Sequence, residues 1–185
     1  MVKYEQLNWD EEEYMEKEKL KFQVGQNVVY KRHCVYVITD IKEEKICAEK
    51  KTYYVLSSVY DNRASVYVPT DSKALTSQMR EPLSFEDVHE IIEKSKNSNV
   101  EWIEERGARF KYFDELMARC ELAEVLRAYV LVSQHKEDTL SRKLKFFAHD
   151  ERTLQAAQNL LCEAFAFSLD MAKSEVIPYI TEKLG

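Results

Sequence analysis

The stretch FQVGQNVVY, residues 22–30, decides the fold, because here the hydrophobic pattern changes from a helical period to the two-residue period of strands. Its β-branched and aromatic residues favour a strand, and Gly25-Gln26-Asn27 predicts a turn near its start. Residues 34–41, 53–56 and 65–68 repeat the pattern. Four or five such strands predict a small β-barrel, whose closure would remove exposed strand edges.

Finer features of these strands are also predicted. Pro69 cannot donate to a ladder and should end the last long strand, and Asp61-Asn62-Arg63 predicts the turn before that strand. Strict alternation in the second strand would place side chains on two opposite faces. The first face carries Val35, Val37 and Ile41, and the second carries Tyr36 and Ile38.

On the C-terminal side, residues 84–185 have helical spacing throughout. Ser84 with Asp87 predicts an N-cap, and a second helix should follow the polar residues 95–99. Helical stripes predict the remaining helices. They comprise a third helix around Leu122–Val130, a short one with Leu140, Leu144 and Phe147, a long one around Leu154–Phe165 capped at Asp150, and a last one capped at Ser174 with Pro178 in its first turn.

On the N-terminal side, residues 1–21 hold seven acids and four lysines, and they predict a short helix beginning near Asn8 or Asp10. The whole chain of 185 residues has a net charge of −6. That charge divides into −3 for residues 1–21, +2 for residues 22–82 and −5 for residues 83–185. Such a balance excludes an autonomous DNA binder driven by bulk charge.

Catalytic and metal-binding patterns are not evident in the sequence. Three glycines cannot build a phosphate-cradling loop, and the four histidines lack zinc-ligand spacing. His33-Cys34 is the one adjacent pair that could form a nucleophilic or metal-binding site, although a structural role is commoner for such a pair. We therefore expect no enzymatic activity and no cofactor. Without a visible export signal or membrane span, we expect a cytoplasmic monomer with reduced cysteines.

The ordered motifs resemble the CarD/CdnL family of bacterial transcription regulators. The opening stretch resembles the family pattern F-x-V-G-D-x-V-V-Y, and the similarity covers about residues 22–182. It continues through the motifs VYVITDI (35–41), YYVL (53–56), VYVP (66–69), REPLS (80–84), WIEE (102–105), RF (109–110) and FDEL (113–116).

This resemblance implies an α+β protein in which a Tudor-like or SH3-like barrel precedes an all-helical domain. The expected organisation is an acidic extension over 1–21, a barrel over 22–82 and a helical domain over 83–185. The family's barrel binds the RNA polymerase β subunit, and its helical domain contacts promoter DNA at the upstream fork of the transcription bubble. The resemblance therefore implies weak DNA contact without sequence specificity and a change in open-complex stability.

Trp102 matches the family tryptophan that acts as a wedge between duplex and melted DNA. An indole can stack on an exposed base, which contributes about 1–3 kcal/mol. The alternative is that Trp102 packs against Ile103 and Phe110 as part of the core.

Six cations are candidate phosphate contacts. They are Arg106, Arg109, Lys111, Arg142, Lys143 and Lys145. The alternative is local pairing, such as Glu105 with Arg109 four residues later.

On the barrel, the resemblance places Lys45, Ile46, Val66 and Tyr67 on the strands that face polymerase. An aliphatic and an aromatic side chain on adjacent strands would form a binding hot spot, or the strands would offer an extended edge for strand pairing. The alternative for Ile46 and Val66 is barrel core. The sequence departs from the family where Glu44 and Tyr67 replace basic residues of some relatives, and where residues 31–34 replace a turn containing Pro and Gly.

A second functional class stays open at this point. The charge of −5 over residues 83–185 favours a protein–protein adaptor that binds polymerase or another partner and never touches DNA.

Overall fold

The computed structural model describes residues 20–46, 49–60 and 65–184. Within these ranges an antiparallel sheet is followed by helices, which confirms the predicted α+β class. Two compact units are formed, one holding the sheet up to residue 81 and the other holding the helices together with residues 32–34. The predicted N-terminal helix near Asn8 or Asp10 and the predicted turn at 61–63 lie outside the described residues.

The sheet has five strands in the order β4-β3-β2-β1-β5. They are β1 (Asn27–Tyr30), β2 (Val35–Ile46), β3 (Glu49–Ser58), β4 (Ser65–Pro69) and β5 (Met79–Arg80), with a short helix α1 (Lys73–Thr76) before β5. Pro69 ends β4, as predicted. No ladder joins β4 to β5 among the described strands, so each keeps one unpaired side. The closure that was expected to remove both edges is not formed there.

The prediction that Ile38 and Ile41 lie on opposite faces of β2 is wrong, because β2 contains a β-bulge. Strict alternation separates Ile38 from Ile41, yet both side chains are buried in the same hydrophobic core. The register of β2 against β3 shifts between Ile38 and Asp40, and the extra residue returns Ile41 to the core face. Phe22 packs edge-on against Tyr54 in this core, with ring centroids 6.2 Å apart.

The β1–β2 turn is made without glycine. Lys31, Arg32 and His33 have φ values of 53°, 29° and 66°, in the left-handed region that glycine adopts most easily. The departure from the family's Pro and Gly therefore leaves the turn in place but puts three side-chain-bearing residues in an unfavourable conformation.

Five longer helices form the second unit. They are α2 (Phe85–Lys96), α3 (Arg106–Arg119), α4 (Leu122–Ser141), α5 (Ala148–Phe165) and α6 (Lys173–Leu184). Their core is built around fully buried side chains that include Phe113, Leu126 and Phe165. The predicted capping box is confirmed at α2, where the Asp87 amide donates to Ser84 Oγ at 3.0 Å and the Ser84 amide donates to the Asp87 carboxylate at 2.8 Å. None of the helices in the described ranges is long and apolar enough to cross a membrane.

Four helix predictions are wrong in detail. Ser174 does not cap the last helix, because α6 begins at Lys173 and includes Ser174. Leu144 and Phe147 lie in a loop because α4 ends at Ser141, so the short helix predicted around them does not form. Asp150 does not cap α5, since Phe147 holds the cap position and Asp150 is buried in the first turn. Pro178 is the sixth residue of α6, beyond its first turn.

Candidate functional site

Trp102 lies in the segment before α3, where it is half-buried against the helical core. Its ring stacks on His135, with centroids 3.9 Å apart, and lies 6.1 Å from Phe113. The Arg109 guanidinium carbon lies 4.5 Å from the centre of the same ring. These contacts hold the indole firmly within the helical unit.

These surroundings differ from the core packing first considered for Trp102. The predicted neighbours were Ile103 and Phe110, whereas the ring contacts His135, Phe113 and Arg109. The indole Nε1 is buried and has no hydrogen-bond partner in the described part of the chain. An unpartnered buried donor is unfavourable, so it offsets part of the stabilisation that the packing of the ring contributes.

The structure contradicts the predicted phosphate contact of Arg109, because the side chain is 3% exposed and its guanidinium is directed inward. Its Nε and Nη2 donate to the Asp150 carboxylate at 3.2 and 3.1 Å, and its Nη1 donates to the carbonyls of Ile103 and Glu104 at 2.9 and 3.0 Å. Four of the five guanidinium N–H donors are therefore used inside the protein. Arg109 is a positioning residue beneath Trp102, and the predicted phosphate contact has no accessible donor surface.

Glu105 caps α3 instead of pairing with Arg109. Its carboxylate accepts from the amides of Gly107 and Ala108 at 2.8 and 2.5 Å. The backbone hydrogen bonds from Ala108 and Gly107 lower the pKa of the Glu105 carboxyl below its ordinary value. The Trp102 segment thus carries an ionised carboxylate, with exposed Glu101 and Glu104 beside it.

The remaining predicted cations are all exposed. Arg106 lies over the ring of Phe147, with its guanidinium carbon 5.4 Å from the ring centre, which brings the start of α3 next to the loop between α4 and α5. That loop carries Arg142, Lys143 and Lys145. Lys111 is not part of this group, and its nearest carboxylate is Glu115 at 3.9 Å.

Phe146 and His135 connect Trp102 with the loop. The His135 ring stacks on Trp102 and lies 6.1 Å from the ring of Phe146, which precedes Phe147 in the loop. The structure therefore brings Trp102, Arg106 and the α4–α5 loop to one region of the helical unit. The sequence pointed to neither His135 nor Asp150 as part of this region, because each lies more than thirty residues from Trp102 along the chain.

On the sheet, Val66 and Tyr67 lie on the edge strand β4. Tyr67 is 40% exposed and contacts Tyr53 edge-on at 6.2 Å, while Val66 packs partly against the sheet core. Lys42 Nζ lies 5.6 Å from the Tyr67 ring centre. Its hydrogen bond to Glu44 raises the pKa of Lys42 above its ordinary value. Glu44 thus partners a lysine beside the candidate aromatic anchor.

The other two predicted polymerase contacts lie elsewhere on the sheet. Lys45 and Ile46 are in β2, and β3 separates β2 from β4, so the anchors are not on adjacent strands. Tyr67 is in register with Val55 and through it with Asp40, whereas Lys45 lies five residues further along β2. At about 3.4 Å per residue, that is about 17 Å beyond the row of Tyr67.

His33 and Cys34 do not form a visible reactive site. Burial raises the pKa of the Cys34 thiol, which disfavours the nucleophilic thiolate. Within the described ranges no three His, Cys, Asp or Glu side chains are close enough together to hold a metal ion.

Comparison with known proteins identifies the sheet unit. Residues 22–81 match the family model described as CarD-like/TRCF RID domain. Residues 22–81 are therefore similar to a CarD-like RID domain. A protein of Bacillus subtilis (strain 168), named "Putative transcription factor YdeB", is 27% identical over 165 residues, which is 88% of this chain and 95% of the relative. The predicted resemblance to CarD-like regulators is thereby confirmed.

The two predicted surfaces fall on opposite sides of residue 81, where the match to the family model ends. Val66 and Tyr67 lie within the matched residues 22–81, on the edge strand β4. Trp102, Arg106 and the α4–α5 loop all lie beyond residue 81, in the part of the chain that only the longer alignment with the relative covers.

Proposed function

We propose that this protein is a non-enzymatic transcription factor that binds the RNA polymerase β subunit through its RID domain. The helical unit then contacts promoter DNA at the upstream fork of the bubble and slows bubble collapse. The match of residues 22–81 to the CarD-like RID domain carries this proposal. Attachment to polymerase raises the local concentration of the helical unit at DNA, so weak DNA affinity suffices. The same proposal would place the protein with polymerase in the cytoplasm.

The polymerase contact is proposed to involve the β4 edge, where Tyr67 is an exposed aromatic anchor beside unpaired backbone groups. Tyr67→Ala should reduce capture of the β subunit in a pulldown. Tyr60→Ala is a matched control, because Tyr60 is a tyrosine of the same unit with 38% exposure. Equal capture by the two variants would contradict this docking edge.

The DNA contact is proposed to include Trp102 as a rigid wedge. A wedge that opposes re-annealing must resist displacement, and the contacts with His135, Phe113 and Arg109 supply that resistance. Trp102→Ala should shorten the lifetime of the open complex while polymerase binding persists. Trp102→Phe keeps an aromatic ring and should retain part of the lifetime. Unchanged lifetimes with Trp102→Ala would refute the wedge.

The second candidate function is an adaptor that binds polymerase without touching DNA, and the net charge of −5 over residues 83–185 favours it. Salt dependence separates the two candidates. If the helical unit makes three contacts with duplex phosphates, the dissociation constant for a forked promoter fragment should rise about 40-fold between 50 and 200 mM salt. Undetectable fork binding at low salt would favour the adaptor.

A further inference from the structure

The end of α4 and the loop that follows it expose apolar side chains that the helical core does not use. Leu140, Leu144 and Phe147 are 54%, 60% and 40% exposed. They are three of the seven large hydrophobic side chains found exposed in the described part of the chain, and all three fall within eight residues. Single exposed apolar residues are ordinary, whereas several within one short segment favour an interaction surface.

The same loop is the most cationic stretch of an otherwise acidic unit. Residues 139–149 contain three cations and no carboxylate, against a net charge of −5 for residues 83–185. Arg142 pairs with Asp138 at 2.9 Å. Lys143 and Lys145 are exposed and form no ion pair with the described residues. Two available cations therefore flank Leu144, the most exposed apolar residue of the loop.

The end of α4 holds this loop in a defined conformation. The Lys143 amide donates to the Leu140 carbonyl at 2.9 Å, and the Leu144 amide donates to the Thr139 carbonyl at 3.0 Å. These are the two hydrogen bonds of a Schellman C-cap, in which Lys143 occupies the left-handed position with φ 57°. Glycine is the usual residue there, so a lysine at this position is strained. A functional use of its charge would account for the residue.

We infer that residues 140–147 bind the unpaired strand of forked DNA, with Leu144 and Phe147 against the faces of unstacked bases and Lys143 and Lys145 on neighbouring phosphates. A nucleic-acid strand presents apolar base faces and anionic phosphates side by side, and the loop presents the complementary groups. Arg106 over Phe147 adds a guanidinium plane on which a base can stack. This inference rests on the proposed DNA contact and names a second base-contacting element beside Trp102.

A lipid surface fits these observations less well. Membrane-surface binding by a single element relies on a long amphipathic face with many apolar residues. Here three side chains, one at the end of α4 and two on the capped loop after it, carry the apolar surface, and two cations of that loop are without an ion pair among the described residues. Binding to anionic vesicles is therefore measured as well, to test the lipid surface as the competing explanation.

The test measures binding of the full chain to a labelled DNA duplex with a single-stranded thymine arm, at about 50 mM salt where phosphate contacts are strongest. Leu144→Ser should weaken binding to the forked DNA about fivefold to tenfold, the loss expected for one base contact, and leave binding to the blunt duplex unchanged. Val24→Ser is the matched control, because Val24 is 56% exposed in the sheet unit.

Lys143→Gly removes the cation while keeping the left-handed backbone. It should weaken fork binding about threefold to fivefold, leave blunt-duplex binding unchanged, and lower the slope of log fork affinity against log salt by about 0.7, the value for one contact with a single strand. Lys94→Gln, at an exposed lysine paired with Glu90 at 2.8 Å, should leave both unchanged. Circular dichroism on every variant checks that the fold is intact.

The outcomes separate this inference from the proposed function. Equal fork binding by Leu144→Ser and Val24→Ser, with the wild type binding well, would overturn the inference alone. Failure of the wild type to bind the fork would overturn it together with the proposed DNA contact. Loop variants that lose binding to vesicles of phosphatidylserine and phosphatidylcholine but keep fork binding would overturn it in favour of a lipid surface.

Discussion

Two segments of the helical unit place an aromatic ring beside a cation, and they use it differently. In the Trp102 segment the indole is half-buried and its cation, Arg109, is 3% exposed. In the α4–α5 loop, Phe147 is 40% exposed and its cation, Arg106, is exposed as well. The first segment also carries three glutamates, whereas residues 139–149 carry no carboxylate.

The difference teaches that residue type does not determine the role of a cation or an aromatic ring, because burial and neighbouring charges decide it. The Trp102 segment is held by buried contacts with the helical unit, such as those of Trp102 with His135 and Arg109, so substitutions there should affect stability as well as function. Leu144 and Phe147 are exposed and add little to the core, so substitutions of these two side chains should affect binding and leave stability nearly unchanged.

The largest predicted effect is at Arg109. Replacing Arg109 with methionine leaves the Asp150 carboxylate buried without its partner, which should lower the free energy of unfolding by about 3–5 kcal/mol. Urea unfolding measures the loss. The double variant Arg109→Met/Asp150→Leu should recover much of it, because no unpaired charge remains. A loss below about 1 kcal/mol, the level of an exposed ion pair, would mean that Arg109 is not a buried positioning residue.

The second prediction contrasts Trp102 with Leu144. Trp102→Ala should lower the free energy of unfolding by about 2 kcal/mol, less than for a fully buried tryptophan because the ring is half-buried. Leu144→Ala should change it by no more than about 0.5 kcal/mol. Trp102→Phe removes the unpartnered Nε1 and should fall between these values. Similar losses for Trp102→Ala and Leu144→Ala in urea unfolding would abolish the contrast.

The third prediction concerns Lys143. Glycine at this left-handed position relieves backbone strain, so Lys143→Gly should raise stability by about 1 kcal/mol, or about 2–4 °C in Tm. Differential scanning calorimetry measures this change. A lower Tm would show that the lysine side chain supports the loop and is not held there against its backbone preference.

The smallest predicted effect is a pH dependence of the helix caps. Hydrogen bonds to Ser84 lower the pKa of Asp87 below its ordinary 3.8, and backbone amides lower the pKa of Glu105 below its ordinary 4.5. A folded-state pKa below the unfolded value stabilises the fold above the unfolded pKa, and this contribution is lost as pH falls through the folded pKa. The urea concentration at the midpoint of unfolding should therefore decrease slightly as the pH is lowered below about 4.5. The double variant Asp87→Asn/Glu105→Gln should flatten that decline, and an unchanged decline would contradict the capping account.

Much of the fold follows from local patterns. Alternating apolar residues predicted β1 to β4, and Ser84 with Asp87 predicted the start of α2, because each signal lies within a few neighbouring residues. The bulge in β2 was missed because no glycine or proline marks the shift after Ile38. The false helix around Leu144 arose because residues 140, 144 and 147 have helical spacing, although the helix ends in a left-handed lysine.

The interior of the candidate site could not be predicted in the same way. Arg109 and Asp150 are 41 residues apart, and their pairing exists only once α3 and α5 are packed. The similarity to CarD-like proteins pointed to Trp102, but it did not indicate that His135 and Arg109 hold its ring. The exposure of Leu140, Leu144 and Phe147 was not predicted, because a local pattern was misleading: their helical spacing predicts a buried helix face.

The most direct test of the account is photo-crosslinking from position 144 in an open promoter complex with RNA polymerase, with position 24 as the matched exposed control. A photoreactive residue at position 144 should crosslink to promoter DNA near the upstream fork, and one at position 24 should not. Absence of a DNA crosslink from position 144, with the protein bound to polymerase, would contradict the claim that the helical unit reaches melted DNA through this loop.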